Sequence, residues 1–135
     1  MEMTQCEIGK IGLIDENIML IDIDCEKKIE VDHICELNYE VHKLARFNKL
    51  YSIINYGAYS FPTKEAREMC AKEEVNNHIL ARAIVVHDLG QLIIAKHTIK
   101  QRKSNVPTRI FMEMRKAQRW VHEMKAKNID NQSVA

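Results

Sequence analysis

Residues 81–123, ARAIVVHDLGQLIIAKHTIKQRKSNVPTRIFMEMRKAQRWVHE, decide the fold. Ile84, Val85 and Val86 centre a short, continuous apolar run over 81–87. Such a run suits a strand buried on both faces of a parallel sheet. Asp88 follows at once and Gln91 stands three residues on, the spacing of a capping box at a helix start. The pattern predicts a helix over 89–102. Asn105, Val106 and Pro107 then break the chain. Residues 108–112 are β-prone. Ala117, Trp120, Val121 and Met124 form a helical stripe, which places Trp120 in the expected core. A strand–helix–strand–helix unit of this kind implies right-handed crossovers and a covered sheet.

Working outward, residues 3–14 and 17–23 read as two strands around the turn-forming trio Asp15, Glu16 and Asn17. So short a connection makes them an antiparallel hairpin. Apolar alternation changes phase between Ile8 and Ile11, beside Gly9, which predicts a bulge. Over 30–45 the period becomes helical, with Val31, Ile34, Leu37, Val41 and Leu44 on one stripe. Residues 50–55 form a strand, 57–62 a loop, and Thr63 the N-cap of a helix over 64–78. Residues 128–135 read as a flexible polar tail, leaving 1–127 as a single domain. The order is ββαβαβαβα. It predicts an α/β fold with a mixed, mostly parallel sheet and an N-terminal antiparallel hairpin.

A chain of 135 residues suits one domain with a real core. The net charge of +1 argues against whole-molecule nucleic-acid binding. The charge is unevenly spread, however. Residues 1–40 hold eleven acids and three bases, and residues 96–127 hold ten bases and two acids. Either the basic segment faces an anionic partner, or the two regions complement each other within one molecule or across a dimer. No aromatic side chains interleave with the bases as a nucleic-acid stacking surface needs. Cys6, Cys25, Cys35 and Cys70 make no CxxC pair, and no apolar run is long enough to span a bilayer. Free thiols in a reducing cytoplasm are the simplest expectation.

Several packing motifs carry a family likeness. Ala66-Arg67-Glu68 opens the second helix, and Ala81-Arg82-Ala83-Ile84-Val85-Val86 opens an apolar strand with alternating alanines. Pro107 precedes Thr108-Arg109-Ile110-Phe111, and Ala117 and Trp120 follow, three apart. In element order and in these motifs the chain resembles the STAS-like domains, the fold of anti-sigma-factor antagonists. It is similar to small bacterial proteins of that type found in Bacteroidetes. The resemblance covers nearly the whole chain and implies a non-enzymatic regulatory role. In the antagonists, a serine at the start of the helix after the third strand is phosphorylated by a partner kinase. The matching region here is residues 56–63, whose candidate phosphoacceptors are Ser60 and Thr63; the aspartate–serine pair typical of those proteins is absent.

In open α/β sheets, ligands sit beyond the carboxyl ends of the parallel strands. Those ends supply Asn55, Tyr56, Tyr59, His87 and Asp88, a possible polar pocket in which His87 titrates near neutrality. The plainer reading makes Asp88 a cap, His87 a strand-end residue and Tyr56 an edge of the core. Asp22 and Asp24 lie on one side of a strand end but lack further oxygen ligands for calcium. No two histidines stand at i,i+4, and no phosphate loop, dinucleotide fingerprint or nucleophile elbow is present. The expectation is no metal, no cofactor and no enzyme activity. The helix over 89–99 is apolar around most of its circumference. Such a helix is deeply buried or shares a second face with a partner. A homodimer through Leu89, Ile93 and Ile94 is therefore expected, with a further protein partner of unspecified identity. The alternatives are a carrier of a small apolar ligand or lipid and, last, an enzyme using His87 and Asp88.

Overall fold

A computed structural model describes residues 2–46, 48–72, 77–101 and 105–134, with side chains as far as Asn128. Three N-terminal strands, β1 (Met3–Cys6), β2 (Gly9–Asp15) and β3 (Ile18–Ile23), form an antiparallel meander. The stretch 3–14 is thus two strands. Cys6 pairs with Gly9 across a turn at Glu7 and Ile8. The phase change that suggested a bulge marks this chain reversal, which resets the inward–outward alternation.

The chain then continues through β4 (Lys28–Ile29), α1 (Val31–Ala45), β5 (Leu50–Asn55), β6 (Phe61–Pro62) and α2 (Lys64–Cys70). After these come β7 (Ile79–Val85), α3 (Leu89–Gln101), β8 (Thr108–Phe111) and α4 (Met114–Val134). The six-stranded sheet runs β1-β2-β3-β5-β7-β8, and β3, β5, β7 and β8 are parallel. The short β4 and β6 pair with each other. The fold is α/β with a mixed sheet, an antiparallel N-terminal hairpin followed by parallel strands, as the sequence pattern predicts.

Two helices differ in length from expectation. The α2 helix ends at Cys70, well before residue 78, because Ala66 is its one buried side chain and so little burial supports few turns. Residues 73–76 of the expected helix lie outside the described residues. The α4 helix instead runs on to Val134, through the stretch read as a tail, and no glycine or proline interrupts it.

The sheet is covered on both faces. In β7, Ala81, Ala83 and Val85 face one layer, where they meet Ile18, Tyr51, Ile53 and the α4 residues Ala117 and Val121. The two alanines let that helix approach closely. Ile84 and Val86 face the other layer and pack with Ala95 of α3. Met19, Ile21 and Ile23 pack on that face with Leu37, Val41 and Ala45 of α1. Trp120 packs against the α4 cluster but is only half-buried, its ring 5.8 Å from that of Phe111. The centre of that contact is held by Ala117 and Val121 instead, because the small residues sit where helix and sheet are nearest.

The last turn of α1 is tied to the start of β7 by histidines. His78 Nε2 lies 2.8 Å from His42 Nδ1, the rings meeting edge-on. Burial first, and then the neighbouring His42 and Lys49, hold the His78 imidazole below its ordinary pKa. The native state therefore binds fewer protons here than the unfolded chain does, so stability falls as pH drops below about 6.5. Urea titrations across pH 8 to 5 check this. Stability of His78→Gln relative to wild type should hold constant above pH 7 and shift in the variant's favour below pH 6. A pH-independent difference would contradict the account.

Candidate functional site at the carboxyl edge

The parallel strands bring three side chains to one edge. In register, Asp22 of β3 lies opposite Asn55 of β5, which lies opposite Val85 of β7. His87 follows two residues later. The Asn55 amide Nδ2 donates to Asp22 Oδ1 at 2.8 Å, and Asn55 Oδ1 lies 2.7 Å from His87 Nε2. The chemistry orders this chain. A carboxylate only accepts, so the amide nitrogen of Asn55 faces Asp22 and its carbonyl oxygen faces His87. His87 must then carry its proton on Nε2, which leaves the lone pair on Nδ1. The ring is exposed, so that lone pair is open to a partner group.

The turn from β7 into α3 holds the Asp88 half of the capping box anticipated from sequence, while the Gln91 side chain reaches one residue further back, to His87 N rather than Asp88 N. Gln91 N donates to Asp88 Oδ1 at 2.8 Å, and His87 N donates to Gln91 Oε1 at 2.8 Å. Gln91 also reaches across to the loop after β5. Its Nε2 donates to Gly57 O at 2.7 Å and to Ser60 O at 2.9 Å, and the side chain is buried. Tyr59 N donates to Asp88 Oδ2 at 3.1 Å. Gly57 is needed here, because a Cβ would lie 2.3 Å from the Asp24 carbonyl carbon and 2.4 Å from Cys25 N.

The residues expected at this edge divide into two groups. Asn55 and His87 are brought together with Asp22, whereas Asp88 caps α3 and binds the backbone of Tyr59, a residue that is 70% exposed. Tyr56 turns away and lines the space between the sheet and the helices. Asp22 does not act with Asp24, whose carbonyl accepts the Ser60 hydroxyl. Among the described residues, no group of three His, Cys, Asp or Glu is arranged to hold a metal ion. The Asp22–Asn55 contact depends on strand register, which leaves no local signal in the sequence. Gln91 was legible as a cap residue, but its reach to the loop was not.

Both hydroxyls offered by the resemblance have structural work. Ser60 is fully buried; its Oγ donates to Asp24 O and accepts from Lys27 N at 2.9 Å. Thr63 Oγ1 caps α2 by accepting from Ala66 N at 3.1 Å. In this conformation Ser60 is closed to a kinase.

The apolar faces of α3 separate. Ile94 is half-buried and points inward with Ala95, whereas Leu89 and Ile93, one turn apart, are 69% and 59% exposed. Inside lie two adjoining cavities of about 40 and 80 Å³ that share Ile34, Tyr56, Cys70 and Ile84. No helix among the described residues is long and apolar enough to cross a membrane.

The relay fixes one tautomer, which long-range proton–nitrogen NMR reads directly. Wild-type His87 should show Nε2–H with an unprotonated Nδ1 in spectra recorded at pH 8. In Asn55→Leu the two tautomers should mix. A wild-type ring protonated on Nδ1 would break the chain as described.

Comparison with curated proteins found no match, and comparison with solved structures found none either. One family model does match, over residues 13–125, which spans β3 to α4 and every residue of this edge. The chain belongs to that family, described as "Domain of unknown function (DUF7793)".

Proposed function

We propose that this protein is a non-enzymatic, cytoplasmic regulatory module of STAS-like type that works by protein–protein contact and forms a homodimer through the outer face of α3. The carrying observation is the exposure of Leu89 and Ile93 on a helix whose opposite face already closes the core. Tyr59 and Met112 add to the same region. Tyr59 is tied to the α3 cap, and Met112 follows Phe111, whose carbonyl accepts the Val86 N–H. Four of the six large exposed apolar side chains among the described residues thus sit on this helix or at its N-terminal edge. Exposed apolar groups gathered in this way mark contact surfaces.

A second copy is the favoured occupant, because an isologous contact uses one patch twice. Lys96 and Lys100 limit closure to the first two turns of α3, since like charges would face each other further along. The basic end then splays towards solvent or towards the acidic N-terminal hairpin of the other copy. Part of that charge complement is already met within one chain. His122 Nε2 approaches Asp15 Oδ2 at 4.0 Å, and Lys125 Nζ donates to Glu16 O.

The carrier alternative has less support. Ligand pockets run from roughly 300 Å³ upward; the apolar cavities of about 40 and 80 Å³ hold little more than water, and the hollow of about 350 Å³ is lined by Lys64, Arg67 and Glu68, which do not suit an apolar ligand. An enzyme is favoured only by the ordered His87 ring, beside which no nucleophile is placed among the described residues. The role does not run through a phosphate on Ser60, whose hydroxyl is already committed to the backbone.

Light scattering at high micromolar concentration tests the dimer. Wild type should be dimeric. Ile93→Asp should be a folded monomer, whereas Ile94→Asp should unfold, because its side chain enters the core layer. A monomeric wild type would overturn the proposal.

A further inference from the structure

The second cluster of ligand-type nitrogens lies far from the carboxyl edge, at the opposite end of β7. We propose that His42 and His78 form a binding site for a divalent transition metal ion of the copper or nickel type. The two ring nitrogens are 2.8 Å apart, with centroids at 4.5 Å and ring planes at 84°. They come from elements that do not adjoin in sequence, and the backbone fixes both. His42 O accepts from Arg46 N at 3.1 Å, and His78 O accepts from Leu50 N at 2.7 Å. A pair held in this way loses little freedom when an ion binds.

Separation selects the ion. Metal–imidazole bonds are about 2.0–2.1 Å long. Two such ligands at right angles place their nitrogens about 2.9 Å apart, and at the tetrahedral angle about 3.4 Å apart. The observed spacing matches the right-angled arrangement of square-planar or octahedral ions, so copper(II) and nickel(II) fit better than zinc. His42 is exposed and His78 half-buried, so an ion can reach both.

The protonation states also suit an ion. In the neutral pair a single proton lies between the two nitrogens. An incoming ion takes its place, and the proton moves to the far nitrogen of whichever ring held it, so none need be released. Lys49 acts against an incoming ion at His78, and Lys43 adjoins His42 in sequence. Among the described residues no third His, Cys, Asp or Glu completes the set, so water fills the remaining positions.

Copper(II) alone is the probe, followed by titration and electron paramagnetic resonance at pH 7.5. One equivalent should bind the full chain with hyperfine structure from two imidazole nitrogens. His42→Gln and His78→Gln should each weaken binding at least about tenfold and leave one nitrogen at most, a loss within the range seen when metal-site partners are removed. His97→Gln and His122→Gln should bind as wild type does. Urea midpoints of the four variants at pH 7.5 establish that each remains folded. Equal binding by the His42→Gln/His78→Gln double variant, or a single-nitrogen spectrum for wild type, would overturn the site.

Discussion

The buried carboxamide of Gln91 is the contact on which the arrangement of this molecule depends. Its two N–H groups hold the loop after β5, and its oxygen holds the backbone at the end of β7. All three bonds lie in or beside the core, where an unmet carbonyl costs about 1–3 kcal/mol. The amide can satisfy Gly57, Ser60 and His87 together in one orientation only. That single choice sets the direction in which α3 leaves the sheet.

Two surfaces follow from that direction. On the inner side, Ile94 and Ala95 complete the layer over Ile84 and Val86. On the outer side, Leu89 and Ile93 are left exposed. The same lock places His87 beside Asn55, and hence beside Asp22, so the polar chain at the carboxyl edge and the apolar patch on α3 are parts of one construction. Ser60 belongs to it too. Its hydroxyl joins the turn at 24–27 to the loop that Gln91 holds, which explains why a serine is buried there.

Much of this could be read in the chain, and the failures share a cause. The alternating alanines of β7, the Asp88 cap, the Thr63 cap and the second apolar face of the helix over 89–99 are local patterns, and the structure contains them. What could not be read depends on register or on pairing across the sheet. The bond between Asp22 and Asn55 spans 33 residues, and that between His42 and His78 spans 36. The turn at Glu7 and Ile8 was missed because a two-residue reversal and a bulge disturb apolar alternation in the same way. Trp120 was placed too deep because a helical stripe identifies a face without identifying its centre, which the smaller Ala117 and Val121 occupy.

The central claim is that the outer face of α3 is a contact surface while its inner face is core. Methyl NMR spectra of isotope-labelled protein, recorded from low to high micromolar concentration, test it most directly. The Ile93 and Leu89 methyl signals should shift with concentration while those of Ile94 and Ile84 stay fixed. Signals from Ile93 and Leu89 that do not move, or an Ile94 signal that moves with them, would contradict it.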